Sequence, residues 1–422
     1  MVILSDLKNV VSAQKRELEG FDYGVSREQS EEISPNTVPH FAMILVGVRR
    51  CGKSTLLQQI RRKNGGGCYF NFEDARIAGF ATEDFQKLLV ALQEEYGKQA
   101  AYYFDEIQVI DKWEWFVRQL LDSSKQVIIT GSNASLFGRE TGTKLTGRHL
   151  DSEVFPFGYA ETTQFFKQPL SSESYGEYLE KGGFPEYLKT GRHEILQRLF
   201  EDILTRDIIA RHNIRNATQL RELAISLISN IGKEFSYRSK QKALNIPAVQ
   251  TVINYVSYLQ DSFLLFAVHK FDYSYKKRLV GPKKIYAVDN GLAKNLSAYF
   301  TEDRGRLLEN AVYIELRKRY GPDSIFFYKG EKECDFIISE KNKATKAIQV
   351  TYSLDSDNEK RETTGLVEAM EKLDIRKGLV ITMDQEDTST IQGKNIEIVP
   401  AYKWATKENG ESNRERDDRK KL

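Results

Sequence analysis

The sequence predicts an α/β protein whose parallel-sheet core is followed by a mostly helical region and then by a second, smaller α/β unit. Between residues 41 and about 165, short apolar runs alternate with amphipathic segments. A continuous apolar run is typical of a strand buried on both faces, and its alternation with helices is typical of a parallel sheet. The predicted strands are Phe41–Val46, Cys68–Phe72, Ala100–Phe104 and Gln126–Thr130.

Composition excludes several classes of protein. The chain has 422 residues, 40% of them hydrophobic and 29% charged, which is typical of a folded protein of about two to four domains. Its 62 basic residues nearly balance its 60 acidic ones, so any basic surface must be local. The longest apolar stretch, about Phe41 to Val48, is far shorter than the ~20 residues of a membrane span. Because the N-terminus has no secretory pattern and the three cysteines make no disulfide framework, we expect a cytoplasmic protein.

The other segments of the chain are assigned in order from their patterns. Residues 1–40 predict a lead helix near Ser5–Leu18 and a linker, and residues 41–165 predict the sheet core. After Pro156 helical spacing prevails, and we assign residues 166–217 to a helical lid. The remaining assignments are a winged helix-like domain at 218–290, a small α/β domain at 291–405 and a disordered charged tail at 406–422.

The most specific signal is the run Gly47–Ser54, a complete G-x-x-x-x-G-K-S pattern that we call the phosphate loop. It has the required context, because an apolar strand precedes it and an amphipathic helix follows it. In such a loop the backbone N–H groups bind phosphate oxygens, Lys53 reaches the β- and γ-phosphates, and Ser54 offers its hydroxyl to Mg²⁺. We assign nucleotide binding to Gly47, Val48, Arg49, Arg50, Cys51, Gly52, Lys53, Ser54 and Thr55.

A pair of carboxylates follows a later apolar strand, about fifty residues after the phosphate loop. We expect Asp105 to hold Mg²⁺ together with Ser54, and Glu106 to polarise the water that attacks the γ-phosphate. A third strand ends at Thr130 and leads to Ser132 and Asn133. Because the carboxyl ends of parallel strands share one edge of the sheet, the sequence predicts that Asn133 or Ser132 lies beside the γ-phosphate.

Together these segments resemble a prokaryotic family of AAA-type ATPases fused to a C-terminal domain of unknown function. The resemblance covers about Phe41 to Leu354 and implies a P-loop NTPase (AAA-like) core. It also implies that Asn133 is similar to a sensor residue and that Arg148 is a candidate arginine finger or sensor. Arg139 competes with Arg148 for that role, within one chain or across a subunit interface of a homo-oligomer. The motifs that carry the resemblance are Gly47–Leu57, Tyr69–Asp74, Asp105–Gln108, Thr130–Ala134, Leu145–Arg148, Phe155–Phe157 and Gly182–Glu186.

The order of elements in residues 218–290 is helix, turn, helix and two-stranded ribbon, as in a winged helix. A basic loop, Lys276-Lys277-Arg278, lies between the two predicted strands and is a possible DNA contact. The polar face of the helix Ala248–Leu259 carries no arginine or lysine. The sequence therefore leaves two roles open for this domain, DNA contact and the docking of a protein.

The last unit, residues 291–405, resembles the restriction-endonuclease-like fold. Active members of that fold carry Asp on one strand and Glu-x-Lys on the next, so that carboxylates hold a metal and a lysine assists the water. In this chain Glu309 lies on a helix and Asp335 fits the first strand position, but Gln349 and Thr351 occupy the Glu and Lys positions. We therefore expect a degenerate nuclease site formed by Glu309, Asp335 and Gln349.

The sequence as a whole predicts an ATP-binding AAA-type ATPase that hydrolyses ATP with Mg²⁺. Hydrolysis would be coupled to movement of the C-terminal winged-helix and nuclease-like domains, which act on DNA or on a protein partner. ATP is favoured over GTP by the resemblance and by the absence of an Asn-Lys-x-Asp run. The alternatives are a slow-turnover, ATP-gated protein-interaction switch and, less favoured, an ATP-dependent DNA endonuclease.

Overall fold

The computed structural model describes residues 2–33, 38–132, 145, 147–297 and 303–406. The chain forms two compact units: residues 1–155 with 261–263, and residues 156–260 with 264–422. Asn133, Arg139 and the predicted tail from residue 407 onward lie outside the described residues. Within the described residues, no helix combines the length and the apolar character needed to cross a membrane.

The first unit contains the predicted parallel sheet, which the structure confirms. All its pairings are parallel, and the strand order is β2-β3-β4-β1-β5. The strands are β1 (Ala42–Val46), β2 (Cys68–Asn71), β3 (Ala101–Asp105), β4 (Gln126–Gly131) and β5 (His149–Glu153). The described helices are α1 (Leu4–Glu17), α2 (Gln29–Glu32), α3 (Lys53–Lys63), α4 (Phe85–Tyr96) and α5 (Trp113–Asp122), with single 3-10 turns at Leu18–Gly20, Ala75–Ile77, Thr82–Asp84 and Ile107–Val109.

Aromatic side chains fill the core beside β2 and β3. The rings of Phe85 and Phe116 stack with centroids 4.4 Å apart, and Phe72 and Phe104 meet edge to face at 5.7 Å. These rings are almost fully buried, and each aromatic pair adds about 0.5–1.5 kcal/mol beyond the burial of its surface. This packing fixes β3, whose last residue is Asp105.

The second unit contains a nine-stranded mixed sheet in the order β13-β14-β12-β11-β10-β9-β7-β8-β6. The strands are β6 (Glu234–Phe235), β7 (Leu265–Lys270), β8 (Lys283–Ala287), β9 (Ile325–Lys329), β10 (Glu333–Glu340), β11 (Lys343–Val350), β12 (Lys377–Thr382), β13 (Asp387–Ile391) and β14 (Lys394–Pro400). Strands β7 and β9 pair in parallel, with His269 opposite Phe326. The boundary between residues 218–290 and 291–405 therefore falls inside one continuous sheet.

Helices precede this sheet and cover it. The described ones are α6 (Tyr159–Phe166), α7 (Ser172–Lys181), α8 (Pro185–Thr190), α9 (His193–Asp202, continued by a π-helical stretch Ile203–Ile209), α10 (Ala210–His212), α11 (Ala217–Ile228), α12 (Tyr237–Ala243), α13 (Val249–Asp261), α14 (Tyr275–Val280), α15 (Asn290–Leu296), α16 (Arg304–Tyr320), α17 (Glu359–Lys372) and α18 (Ala401–Thr406), with a 3-10 turn at Pro322–Ser324. Helix α14 occupies the position at which the sequence predicts a basic loop.

A buried aspartate anchors the turn between α7 and α8. The Asp289 carboxylate accepts hydrogen bonds from Gly183 N at 2.6 Å and from Leu292 N at 2.8 Å, and so it also caps α15. Burial raises the pKa of Asp289 to about 6. Gly183 leaves no room for a side chain, because a Cβ there would lie 2.0 Å from Phe157 O. This turn is part of the Gly182–Glu186 motif, which therefore has a structural explanation.

We expect Gly183→Ala to destabilise the second unit, because the added methyl group collides with backbone. A loss of about 2 kcal/mol or more corresponds to a thermal midpoint lower by roughly 4–8 °C in calorimetry. Gly176→Ala, inside α7, is the matched control, since its Cβ would meet only Met383 Cε at 3.4 Å. The control should leave the midpoint unchanged or raise it slightly. Equal midpoints for both variants would contradict this account of the turn.

Candidate functional site

The phosphate loop joins β1 to α3 at the carboxyl edge of the parallel sheet. Its first glycine is required sterically, because a Cβ on Gly47 would lie 2.1 Å from Val154 O. Gly52 has a φ of 100° and is the N-terminal cap of α3. Backbone amides at the N-terminus of a helix, together with the helix dipole, favour the binding of an anion.

Lys53 is the first residue of α3, and its side chain folds back into the loop. It is only 4% exposed, and its ammonium donates to Gly47 O and Val48 O, each at 3.1 Å. The same Nζ lies 4.0 Å from Glu106 Oε1. The lysine of the loop therefore lies near Glu106, the carboxylate that follows β3.

Asp105 ends β3 and is buried in a set of hydroxyl groups. Its Oδ1 accepts a hydrogen bond from Thr130 Oγ1 at 2.5 Å, its Oδ2 accepts one from the Tyr69 hydroxyl at 3.4 Å, and the Ser54 hydroxyl also donates to it. Burial, followed by the charge of Glu106, raises the pKa of Asp105 to about 6. The pairing of Asp105 with Ser54 is the donor set expected for Mg²⁺.

Glu106 follows in a left-handed conformation, with a φ of 50°. Its backbone N–H donates to Thr130 Oγ1 at 2.9 Å, and its Oε2 accepts a short hydrogen bond from the Gln108 amide. The Thr130 hydroxyl group therefore contacts both carboxylate residues. Sequence reasoning missed this role, although Thr130 stands one residue before the glycine that ends β4.

Arg27 supports the loop from the N-terminal segment and was also missed. Its side chain is 3% exposed and donates to Cys51 O at 3.0 Å and to Phe155 O at 2.6 Å. A single arginine in a polar segment has no sequence pattern that distinguishes it from a surface residue. The segment that the sequence assigns to a linker therefore includes a contact to the backbone of the phosphate loop.

The candidate catalytic residue Arg148 lies far from the phosphate loop of its own chain. It precedes β5, and its carbonyl accepts from Ala42 N at the amino end of β1, whereas the loop follows the carboxyl end of that strand. The five residues of β1 span about 16 Å. The Arg148 guanidinium instead donates to Asp122 at 2.8 Å. These contacts do not place Arg148 beside the phosphate loop of its own chain, and its role as a sensor or as an arginine finger stays a prediction.

Asn133 lies outside the described residues, whereas Ser132, directly before it, is buried at the end of β4. Strand β4 lies between β1 and β3, so its carboxyl end is at the same edge as the phosphate loop and Asp105.

The basic run in the second unit lies on α14. Lys276 and Lys277 are exposed, but the Arg278 guanidinium lies over the Phe326 ring at 4.8 Å and donates to Asp272 O. Arg278 is therefore part of the packing beneath α14. The two lysines alone remain available for phosphate contact.

The expected degenerate nuclease site contains a lysine that the sequence analysis missed. Lys284 Nζ lies 3.1 Å from Glu309 Oε1, 2.6 Å from Glu333 Oε1 and 3.1 Å from Asp335 Oδ1. Burial raises the pKa of Glu309 to about 7, although Lys284 acts to lower it. The detectable signal is the lysine itself, because a lysine in the interior of an apolar strand requires charged partners.

Gln349 does not contact this lysine. Its side-chain nitrogen Nε2 donates to Glu362 Oε2 at 2.9 Å, and its side-chain oxygen Oε1 accepts from Asp335 N at 3.3 Å. The expected trio of Glu309, Asp335 and Gln349 is therefore corrected to Glu309, Glu333 and Asp335 around Lys284. Among the described residues, no group of three or more histidine, cysteine, aspartate or glutamate side chains has the geometry of a metal site.

Comparison with protein families agrees with the fold of the first unit. A model described as an AAA domain matches residues 40–163. Models of two domains of unknown function, DUF8612 and DUF4143, match residues 172–303 and 304–404.

Full-length relatives exist in an archaeon and in a bacterium. An uncharacterized protein of Methanocaldococcus jannaschii is 33% identical over 415 residues, which cover 89% of this chain and 90% of that protein. An uncharacterized protein of Haemophilus influenzae is 28% identical over 385 residues, which cover 86% of this chain and 94% of that protein. The matches therefore extend over most of the length of this chain and of each relative.

Among solved structures, matches include a STAND (signal transduction ATPase with numerous domains) protein with a tetratricopeptide repeat sensor from Pyrococcus horikoshii. It is 14% identical with a TM-score of 0.28, and the match covers 71% of this chain and 46% of that one. AMPPCP-bound DnaA from Aquifex aeolicus is 15% identical with a TM-score of 0.28, covering 58% of this chain and 90% of that one. Likenesses this distant do not bear on the function.

The raised pKa of Asp105 makes a prediction about stability. Between pH 4 and pH 6 the folded chain keeps a proton that the unfolded chain has released, so the stability of the parent falls as pH rises. Relative to Asp105→Asn, which does not titrate, the parent should lose about 2 kcal/mol of unfolding free energy over this range.

The measurement is denaturant unfolding of the first unit at several pH values, with Asp84→Asn as a control carboxylate whose pKa is lowered. The difference in unfolding free energy between the parent and Asp105→Asn could instead stay constant with pH or change in the opposite direction. Either result would show that the pKa of Asp105 is not raised.

Proposed function

Because this chain belongs to the family of the Methanocaldococcus jannaschii protein and carries an AAA domain, we propose that it binds ATP with Mg²⁺ and hydrolyses it. The observation that supports this function is the convergence of Lys53, Ser54, Asp105 and Glu106 at one edge of the parallel sheet. The loop also leads into the N-terminus of α3 through Gly52, and backbone amides at a helix N-terminus favour the binding of phosphate.

Each residue has a role that follows from its contacts. The amides of the phosphate loop and the Lys53 ammonium bind the phosphates, and Lys53 exchanges its two carbonyl partners for phosphate oxygens. Ser54 and Asp105 are the residues that would hold Mg²⁺, which neutralises charge on the phosphates when it is bound. Glu106 is placed to orient the attacking water and to accept its proton.

We expect Lys53→Ala to weaken ATP binding at least tenfold, because the buried ammonium is lost. Glu106→Gln should bind ATP as the parent does but lower kcat by roughly 10²–10⁴-fold, the usual contribution of a general base. Both effects are measured by phosphate release and by equilibrium binding of ATP in Mg²⁺. Glu83→Gln, an exposed change in the same unit, is the control and should behave as the parent. Unchanged turnover in Glu106→Gln would show that another group is the base.

A slow, ATP-gated interaction switch is the second candidate function. It is favoured by the hydrogen bond from Gln108 to Glu106 Oε2, since that contact occupies an oxygen that would otherwise face the attacking water. The same residues bind nucleotide in both functions. The rate of turnover, and its response to a partner, separates the two.

Coupling to a partner is proposed for α14 and the residues before it. Tyr273, Tyr275 and Val280 are 63%, 72% and 79% exposed, next to the exposed Lys276 and Lys277. Aromatic rings beside cations are typical of surfaces that stack on bases and bind the phosphate backbone. This composition favours DNA as the partner, with a protein as the alternative.

If DNA is the partner, it should stimulate ATP turnover, and Lys276→Glu/Lys277→Glu should abolish that stimulation without changing the basal rate. The measurement compares phosphate release with and without DNA at low and high salt, because phosphate contacts weaken as salt rises. Lys341→Glu/Lys343→Glu, an exposed pair at another hairpin of the same unit, is the matched control. A slow rate that is indifferent to DNA would favour the interaction switch.

A further inference from the structure

A group of three carboxylates in the second unit surrounds a cation that the chain itself provides. Glu309 lies on α16, Glu333 and Asp335 lie on β10, and we call these three side chains the carboxylate cluster. The cation is the ammonium of Lys284 on β8, which is 2.6–3.1 Å from one oxygen of each carboxylate.

The lysine is held in this position with almost no access to water. Its side chain is 2% exposed, whereas that of Glu333 is 38% exposed, so the cluster opens to solvent on one side only. Moving an ammonium out of water costs several kcal/mol, which only close opposite charges offset. Three carboxyl groups around one ammonium are also oxygen ligands of the kind that a divalent cation binds.

The orientation of the carboxylates is fixed by further bonds. Glu309 Oε1 also accepts from the Tyr286 hydroxyl at 2.7 Å, and Asp335 Oδ2 accepts from Val350 N at 3.0 Å. Gly232 leaves space for Glu309, since a Cβ there would lie 2.7 Å from Glu309 Oε2. Two of the three carboxylates, Glu309 and Asp335, are therefore oriented by contacts other than those with the lysine.

The spacing of the cluster fits an ammonium better than a small metal ion. Oxygen ligands lie 2.0–2.1 Å from Mg²⁺ and 2.3–2.6 Å from Ca²⁺. The distances to Lys284 Nζ reach 3.1 Å, which is within the range of N–H···O hydrogen bonds and too long for either metal. A metal at this centre would have to displace the lysine, and the described residues contain no ready-made metal site.

The other groups that a metal-dependent nuclease would need are directed elsewhere. Gln349 bonds Glu362, Lys329 pairs with Glu234 at 2.5 Å, and Lys346 donates to the Tyr320 hydroxyl at 2.9 Å. The metal that the nuclease-like resemblance implies therefore does not fit this site as it stands.

We propose that the ammonium of Lys284 takes the place of a divalent metal ion at the carboxylate cluster, so that the parent chain binds no metal there and removal of the lysine creates a metal site. The ammonium of Lys284 occupies the position that a metal ion would take in the carboxylate cluster. This inference does not depend on ATP hydrolysis by the first unit.

The test is a calorimetric titration of the nucleotide-free, full-length protein with Mn²⁺. Lys284→Met should gain one Mn²⁺ site. If Asp335→Asn removes any Mn²⁺ binding from the parent, that binding should be at least tenfold weaker than the binding at the new site. Adding Glu309→Gln to Lys284→Met should remove the new site. Lys283→Met is the matched control, because Lys283 is buried in the same strand but donates to Leu279 O and Gly281 O rather than to carboxylates.

A second measurement keeps the proposal testable if Lys284→Met folds poorly. Mn²⁺ should raise the thermal midpoint of Lys284→Met, or restore its folding, while leaving the parent and Lys283→Met unchanged. A variant that Mn²⁺ neither binds nor stabilises would overturn the proposal. Two results with the parent chain would also overturn it. One is tight Mn²⁺ binding that Asp335→Asn removes, and the other is Mn²⁺-dependent nicking of DNA that stops when Asp335 is replaced.

Discussion

The burial of Asp105 among the hydroxyl groups of Thr130, Tyr69 and Ser54 is the interaction on which the proposed site depends. It ties the end of β3 to the end of β4 and to the first turn of α3. Because β3 and β4 are parallel strands and α3 follows β1, another parallel strand of the same sheet, their polar ends meet at one edge. The chemistry of the first unit is therefore a consequence of its sheet topology.

The same physical problem, a charge removed from water, has a different solution in the second unit. There the carboxylate cluster is matched by Lys284, so that a cation is present at all times. One nine-stranded sheet brings β8 and β10 to this point, although they belong to segments that the sequence assigns to different domains. The sheet, rather than the domain boundary, determines which charges meet.

Local patterns in the sequence were sufficient for four of the five strands of the first unit and for the phosphate loop. The four apolar runs predicted parallel strands, and the glycine-lysine motif predicted the phosphate loop. Both signals depend only on residues that are neighbours in the chain. The fold then brings Lys53 and Glu106 together. Long-range contacts could not be read in this way. Arg27, Thr130 and Lys284 act through partners 24 to 128 residues away. The position of Arg148 beside the amino end of β1 likewise depends on the register of β5.

The central claim is that the phosphate loop binds ATP, and equilibrium binding tests it most directly. Calorimetry of the folded, full-length chain with ATP and Mg²⁺ is the measurement. We expect close to one nucleotide bound per chain, with affinity that falls when Mg²⁺ is removed and with competition from excess ADP. A folded protein that takes up no adenine nucleotide would contradict the account.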